Sequence, residues 1–172
     1  QSRVSPAHRG FSNFSDCCVR TASLIDQDGE RNPLASLFSE IIALSHVQLE
    51  LMYGSQTLIR GAITDGPIDH GDSLLFGPAL VSSYELESKY ADYPRIVIDP
   101  KIIKRFRESP DLDSDSCDRE EEISAVEQLL KLDSDGLYFV DYLSLVHSEA
   151  DSSQQFVEFF ERHRDYIRNS AS

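Results

Sequence analysis

The stretch that decides the fold is Leu58 to Asp99, LIRGAITDGPIDHGDSLLFGPALVSSYELESKYADYPRIVID. The apolar run Leu58–Thr64 ends at Asp65-Gly66-Pro67, which is typical of a buried strand stopped by a turn. After a polar turn, Leu74–Phe76 form a second short apolar run. Pro78 then lies where a helix can begin, because a proline at the first helical position loses only a donor that has no helical partner.

The second half of this stretch predicts a helix followed by a strand. Ala79–Ala91 has helical composition, and Tyr93-Pro94 ends it. Arg95–Asp99 is rich in β-branched residues and is stopped by Pro100. The predicted order is therefore strand, polar hairpin, short strand, helix and strand.

This order, together with several residues, resembles the second half of the class III nucleotidyl cyclase catalytic domain, over residues 11 to 99. One family pattern, R-x-G-I-x-x-G, is matched by Arg60, Ile63 and Gly66. The other, G-[DPN]-[AT]-V-N-x-A-x-R-L-E, is matched by Gly77, Pro78, Ala79, Leu86 and Glu87. Val81 stands where the family has its transition-state asparagine, and Glu85 stands where it has an arginine.

The resemblance implies an α+β fold, a mostly antiparallel sheet with packed helices like that of cyclases and polymerase palms. It also implies a nucleoside triphosphate ligand, Mg²⁺ or Mn²⁺ as the metal, and a homodimer with active sites at its interface. Asp16 would be one metal ligand. The family's other metal aspartate is expected on a strand preceding Gln1.

Asp16 lies near the tip of a predicted hairpin, between short runs ending at Phe14 and beginning at Cys17. The order of hairpin, strand Cys17–Ile25, helix and Arg60 strand matches the order in the family. The functional interpretation makes Asp16 a magnesium ligand. The alternative is an aspartate in an ordinary hairpin turn, where this residue type is common.

Arg60 and Gly77 are the candidate phosphate-binding residues. Arg60 lies just before Gly61 within a strand predicted to be buried, where an unpaired charge is costly. It either helps hold a phosphate or an acidic partner group, or pairs structurally with Glu85, Glu87 or another carboxylate. These two glutamates are one residue apart on the predicted helix and so cannot share a face. Gly77 precedes a helix N-terminus that can offer backbone N–H groups to an anion, although Pro78 removes one donor.

Asp69, His70 and Asp72 are further site candidates within the polar turn. They suit a metal or acid–base cluster, or equally a solvated hairpin. His46, in the predicted helix Leu34–Tyr53, is interpreted as a packed or surface residue.

The remaining chain predicts one domain of 172 residues. Gly54 is expected to end the helix Leu34–Tyr53. A polar, acidic segment, Ser109–Glu122, is expected to be the most mobile internal loop. Further elements are predicted at Lys101–Arg107 (a helical turn), Ile123–Leu132 (a helix), Leu137–Leu145 (a strand) and Glu149–Asn169 (a helix).

Charge and cysteine content exclude several classes of partner and site. The net charge of −14 and pI of about 4.6 argue against nucleic acid and anionic membranes as partners. No apolar run approaches the ~20 residues of a membrane span. The three cysteines, Cys17, Cys18 and Cys117, form no CxxC pattern. They suit a reduced, cytoplasmic protein.

Two functions remain open from the sequence. The first is a divergent cyclase-like domain that binds a nucleoside triphosphate with magnesium and forms a cyclic nucleotide if it is active. The second is a catalytically inactive module of the same fold that acts in binding or dimerisation. The residues at Val81 and Glu85 favour the second.

Overall fold

The computed structural model of the chain describes residues 9–14, 16–25, 33–71, 74–108, 119–144 and 153–170. The strands in these ranges are β1 (Arg9–Phe14), β2 (Cys17–Ala22), β3 (Gly61–Ile63), β4 (Asp69–His70), β5 (Leu75–Phe76), β6 (Ile96–Ile98), β7 (Leu130–Leu132) and β8 (Tyr138–Val140). The helices are α1 (Pro33–Ser55), α2 (Pro78–Tyr90), α3 (Pro100–Glu108), α4 (Arg119–Gln128) and α5 (Ser153–Ser170). Helices combined with mainly antiparallel strand pairs confirm the predicted α+β class.

Strands β3 and β6 are neighbours in a four-stranded sheet of order β3-β6-β8-β7. They run parallel, with Gly61 opposite Ile96, whereas β6–β8 and β7–β8 are antiparallel. Parallel strands need a crossover connection, and the β4–β5 hairpin and α2 lie between them in sequence. The prediction that Arg60–Thr64 and Arg95–Asp99 contribute to one sheet is therefore confirmed.

Helix α1 packs on one face of this sheet, as the sequence predicts. Leu37 and Ile41 join Ile96 and Ile98 of β6 and Val140 of β8 in the main apolar core. All three residues of β6 are buried, which is typical of a strand covered on both faces.

The prediction of a single sheet is wrong for the described residues. The β1–β2 hairpin and the β4–β5 hairpin each form a separate two-stranded sheet. In both hairpins the backbone pairing is local in sequence and antiparallel. The β1–β2 hairpin is held to the rest of the fold by ion pairs and hydrogen bonds of its side chains, which strand patterns in a sequence do not reveal.

Helix α1 does not end at Gly54 as predicted but continues to Ser55. Gln56 follows with a φ of 53°, so the left-handed residue that ends the helix is Gln56 rather than the glycine. None of the helices in the described ranges combines the length and the apolar content needed to cross a bilayer.

The largest correction concerns Ile123–Leu132, which was expected to be one helix. Helix α4 ends at Gln128, and Leu130–Leu132 form β7, which pairs with β8 across the turn Asp133–Gly136. Gly136 has a φ of 82°, a conformation that glycine adopts without strain. The apolar residues on both sides of this turn belong to a hairpin.

Other boundaries differ by a few residues. Residues 109–118 of the predicted loop Ser109–Glu122 lie outside the described residues. Its last four residues, Arg119–Glu122, are helical and form the start of α4. The predicted strand Cys17–Ile25 is longer than the observed β2, and the predicted strand Leu137–Leu145 is longer than the observed β8. The terminal helix, predicted at Glu149–Asn169, is α5.

Helix α5 docks through a second apolar cluster that contains Leu49, Met52, Tyr142 and Phe159. His163 of α5 is buried, stacks on Phe159, and lies with its Nε2 3.0 Å from the Tyr142 hydroxyl. Burial lowers the pKa of His163 and raises the pKa of Tyr142 to about 12. Both groups are therefore held in their uncharged forms at neutral pH.

Candidate functional site

Asp16 lies at the turn of the β1–β2 hairpin, as the sequence predicts. The hairpin register pairs Phe14 with Cys17, so Asp16 lies at its tip, where its side chain is exposed. Cys17 and Cys18 are free and exposed, while Cys117 lies outside the described residues. The exposed carboxylate is accessible to a ligand.

The Cys17 thiol at this hairpin tip is within electrostatic reach of α2. Burial raises the pKa of the Cys17 thiol, and the negative charges of Cys18, Asp16 and Glu87 raise it further. Glu87 belongs to α2 and lies 71 positions after Asp16 in the sequence. The charge of Glu87 therefore reaches the Cys17 thiol, although the two residues are far apart in the chain.

 

Arg60 is bound to the same glutamate. Its Nε lies 2.6 Å from Glu87 Oε1, and its Nη1 donates to the backbone oxygen of Ala91 at 3.3 Å. The expectation that Arg60 is buried is wrong, since 55% of its side chain is exposed. The residue precedes β3, which begins at Gly61. The structural pairing with Glu87 is therefore present, and phosphate binding by Arg60 stays a prediction.

Glu85 and Glu87 differ in their surroundings, as the helical spacing predicts. Glu85 is exposed on α2, together with Val81 and Tyr84, whereas Glu87 is partly buried against Arg60. No residue of α2 is fully buried. The helix therefore presents an outer face on which apolar and acidic side chains lie in solvent.

Gly77 makes the tight connection between β5 and α2. Its φ is 148°, and a Cβ there would lie 2.6 Å from the Pro67 oxygen. The Ala79 N–H donates to that same oxygen at 3.2 Å, so this donor of the first helical turn already has a partner. Gly77 is needed for backbone geometry, and its predicted contact with phosphate stays a prediction.

Asp69 and His70 are consecutive residues of β4, so their side chains point to opposite faces of the strand. His70 contacts the other hairpin: its Nε2 lies 2.7 Å from Ser12 Oγ and its Nδ1 lies 2.7 Å from Thr21 Oγ1. Asp69 is exposed, and Asp72 lies outside the described residues. The described part of the turn does not bring Asp69 and His70 together as one cluster.

Two carboxylates at the ends of the parallel strands were missed by the sequence analysis. Asp99 is buried, accepts a hydrogen bond from Thr64 Oγ1 at 2.8 Å, and accepts another from the Lys101 N–H at 2.9 Å. Asp65 forms an ion pair with Arg105 of α3. Because these contacts join β3, β6 and the start of α3, we interpret both carboxylates as structural.

A buried arginine, Arg95, was also missed. Its guanidinium lies 2.6 Å from Asp133 Oδ2 and 2.5 Å from Asp135 Oδ2, and it donates to the Tyr90 oxygen at 2.6 Å. The group also lies over the Tyr93 ring, 4.4 Å from its centroid. The charged residue at the start of an otherwise apolar strand was the signal that could have revealed this network.

Within the described ranges, no group of three or more histidine, cysteine, aspartate or glutamate side chains could hold a metal ion by itself. No family model, curated protein or solved structure matches this chain.

Proposed function

We propose that this chain is a divergent class III nucleotidyl cyclase-like domain that binds a nucleoside triphosphate together with Mg²⁺ or Mn²⁺. The observations that carry the proposal are that Asp16 is exposed at a hairpin tip and that the neighbouring Cys17 thiol is within electrostatic reach of Glu87, the partner of Arg60. Asp16 offers a carboxylate to a metal, and Arg60 offers a cation to a phosphate. The order of hairpin, helix, strand, hairpin, helix and strand supports the same proposal.

The residues present fit a metal that is shared with its nucleotide. Protein-bound Mg²⁺ usually relies on one or two carboxylates and completes its octahedron with waters and substrate phosphates. Asp16 supplies one exposed carboxylate, and the phosphates would supply further oxygens. The metal, when bound, neutralises phosphate charge.

The protein groups around this site have separate tasks in the proposal. Asp16 holds the metal, and the Arg60 guanidinium, which is paired with Glu87, binds a phosphate. More than half of the Arg60 side chain is exposed, so it can bind a phosphate oxygen without first breaking out of a buried site. In the family, the ribose 3′-oxygen attacks the α-phosphate and pyrophosphate leaves.

We predict that Asp16→Ala weakens metal-dependent nucleotide binding at least tenfold, because a metal ligand is lost. Isothermal titration calorimetry with Mn²⁺ and each of the four ribonucleoside triphosphates measures the effect. Asp165→Ala, which changes an exposed aspartate of α5, is the matched control and should bind like the wild type. Equal binding by wild type and Asp16→Ala would contradict the assignment of Asp16.

The same proposal includes self-association through the outer face of α2. Val81 is 57% exposed and Tyr84 is 69% exposed, and neighbouring apolar side chains of this kind often mark an interface. We take a second copy of the chain as the partner, as the family's dimeric site implies. An inactive module that acts only in dimerisation is the alternative function that this exposed face favours.

We predict that Val81→Asp shifts the chain from dimer to monomer at high micromolar concentration, because a charge is placed in the apolar contact. Sedimentation velocity measures the change. Val157→Asp is the control, since Val157 of α5 is 52% exposed and has a similar environment. A wild-type chain that sediments as a monomer at this concentration would rule out the dimer.

A further inference from the structure

The β1–β2 hairpin has no backbone pairing with the rest of the described chain, because β1 and β2 form their own two-stranded sheet. Its position therefore depends on side-chain contacts. The distance from Gly10 to Phe14 along β1 is about 13 Å at ~3.3 Å per residue. A small rotation near Gly10 is amplified at the tip, where Asp16 lies.

One face of the hairpin is bound to α1 by charge. Arg9 Nε lies 3.4 Å from Glu40 Oε1, and Arg20 Nη2 lies 3.0 Å from Glu40 Oε2. Arg9 also donates to Ser39 Oγ. A single glutamate of α1 thus holds one arginine from each strand of the hairpin.

The opposite face is bound by His70. Side chains alternate along a strand, so Gly10 and Ser12 of β1 lie on the same face as Thr21, which is opposite Gly10 in the register. The two ring nitrogens of His70 each lie 2.7 Å from a hydroxyl oxygen, one from Ser12 and one from Thr21. One imidazole therefore bridges both strands.

Gly10 provides the space for this contact. A Cβ on Gly10 would lie 2.3 Å from His70 Nδ1 and 2.7 Å from Thr21 Oγ1. Any larger residue at this position would push the ring away from the strands. Glycine at position 10 and histidine at position 70 are thus complementary in shape.

We propose that His70 is a positioning residue whose imidazole, seated over Gly10 between Ser12 and Thr21, fixes the β1–β2 hairpin and thereby orients Asp16. The role in orienting Asp16 rests on the proposed function, whereas the role in fixing the hairpin does not. Each hydroxyl can donate or accept a hydrogen bond, so both contacts form with either tautomer of a neutral histidine. His70 is then a support for the candidate metal ligand rather than a ligand itself.

Hydrogen exchange of the full chain tests the first part of this proposal. His70→Ala removes both contacts, and we expect amides of β1 and β2 to exchange about tenfold faster, while the amides of β6 are unchanged. His46→Ala, at an exposed histidine of α1, is the matched control and should leave hairpin exchange as in the wild type. Unchanged exchange of the hairpin in His70→Ala overturns the proposal.

Milder variants keep the test decisive if His70→Ala does not fold. Thr21→Val keeps the shape of the side chain but removes one hydroxyl, so a smaller acceleration, confined to the hairpin, is expected. Gly10→Ala should accelerate exchange in the same segment by displacing the ring, whereas Gly54→Ala, whose Cβ would meet nothing within 4 Å, should not. Hairpin exchange equal to that of the wild type in both Thr21→Val and Gly10→Ala overturns the proposal.

Nucleotide binding tests the second part. In the presence of Mn²⁺, we expect His70→Ala to bind a ribonucleoside triphosphate about tenfold more weakly than the wild type does. In EDTA, the affinities of the two proteins should be equal. His70→Asn, which retains a polar group near Thr21, should restore part of the loss. If the wild type binds no nucleotide, the proposed function fails, and the exchange experiment still decides whether His70 fixes the hairpin. If Mn²⁺ increases the affinity equally in wild type and His70→Ala, the proposal that His70 orients Asp16 is wrong.

Discussion

Arg95→Ala is expected to lower the free energy of unfolding by about 3 kcal/mol, the lower end of the range for breaking a buried ion pair. The Arg95 side chain is only 4% exposed, and Asp133 is 22% exposed. Removing the guanidinium takes away the partner of the Tyr90 carbonyl and the charged partner of Asp133, whose Oδ2 still accepts from the Tyr93 hydroxyl. The lower end applies because water can still reach Asp133.

Urea unfolding followed by circular dichroism measures this loss. Arg162→Ala, at an exposed arginine of α5, is the control and should change stability by less than about 0.5 kcal/mol. Arg95→Met separates charge from packing, because methionine fills much of the same volume. A loss in Arg95→Ala no larger than in the control would show that the network is not stabilising.

The same network predicts a change in acid sensitivity. The hydrogen bond from Arg95, followed by that from the Leu137 N–H, lowers the pKa of Asp135 in the folded protein. An aspartate in the unfolded chain titrates near pH ~3.9. This contribution to stability is therefore fully present above that value and is lost as pH falls toward the lower folded pKa. Arg95→Ala should weaken this part of the pH dependence.

The wild-type chain is expected to form no cyclic nucleotide with Mg²⁺ or Mn²⁺ and any of the four ribonucleoside triphosphates. In the resembling family, an asparagine and an arginine act from the positions of Val81 and Glu85. Val81 cannot donate a hydrogen bond to a ribose, and under the proposed function Glu85 would place a negative charge where the family's arginine meets the phosphate. Loss of one preorganised donor typically lowers the rate by ~10²–10³.

Chromatographic detection of cyclic nucleotides with purified protein measures the turnover. Asp16→Ala supplies the background, because any product from a contaminating enzyme would be the same in both preparations. The pair of substitutions Val81→Asn and Glu85→Arg restores the family's residues and is the matched gain-of-function variant. Product from the wild type above the Asp16→Ala background would contradict the prediction.

Much of the architecture could be predicted from local sequence. The run of Val and Ile in β6, Pro78 at the start of α2, and the apolar stripe of α1 each specify one element, and the structure contains all three. The hairpin at Asp16 was predicted equally well. These elements succeed because hydrophobic periodicity and turn residues act over a few neighbouring positions.

The β7 strand shows where that reasoning fails. Leu130–Leu132 continue the helical pattern of α4, and the sequence offers no local reason to prefer a strand. Pairing with β8 favours the strand, because it provides hydrogen-bond partners for the backbone N–H and C=O groups of Leu130–Leu132. Tertiary contact thus overrides local preference at this point.

The candidate site divides in the same way. From the sequence alone came the α+β class, the strands β3 and β6, and the turn that carries Asp16. The pairing of Arg60 with Glu87 and the contacts of His70 with Ser12 and Thr21 came only from the tertiary structure. Side-chain partners across 27 to 58 positions depend on how separate elements pack, whereas strand and turn signals depend only on neighbouring residues.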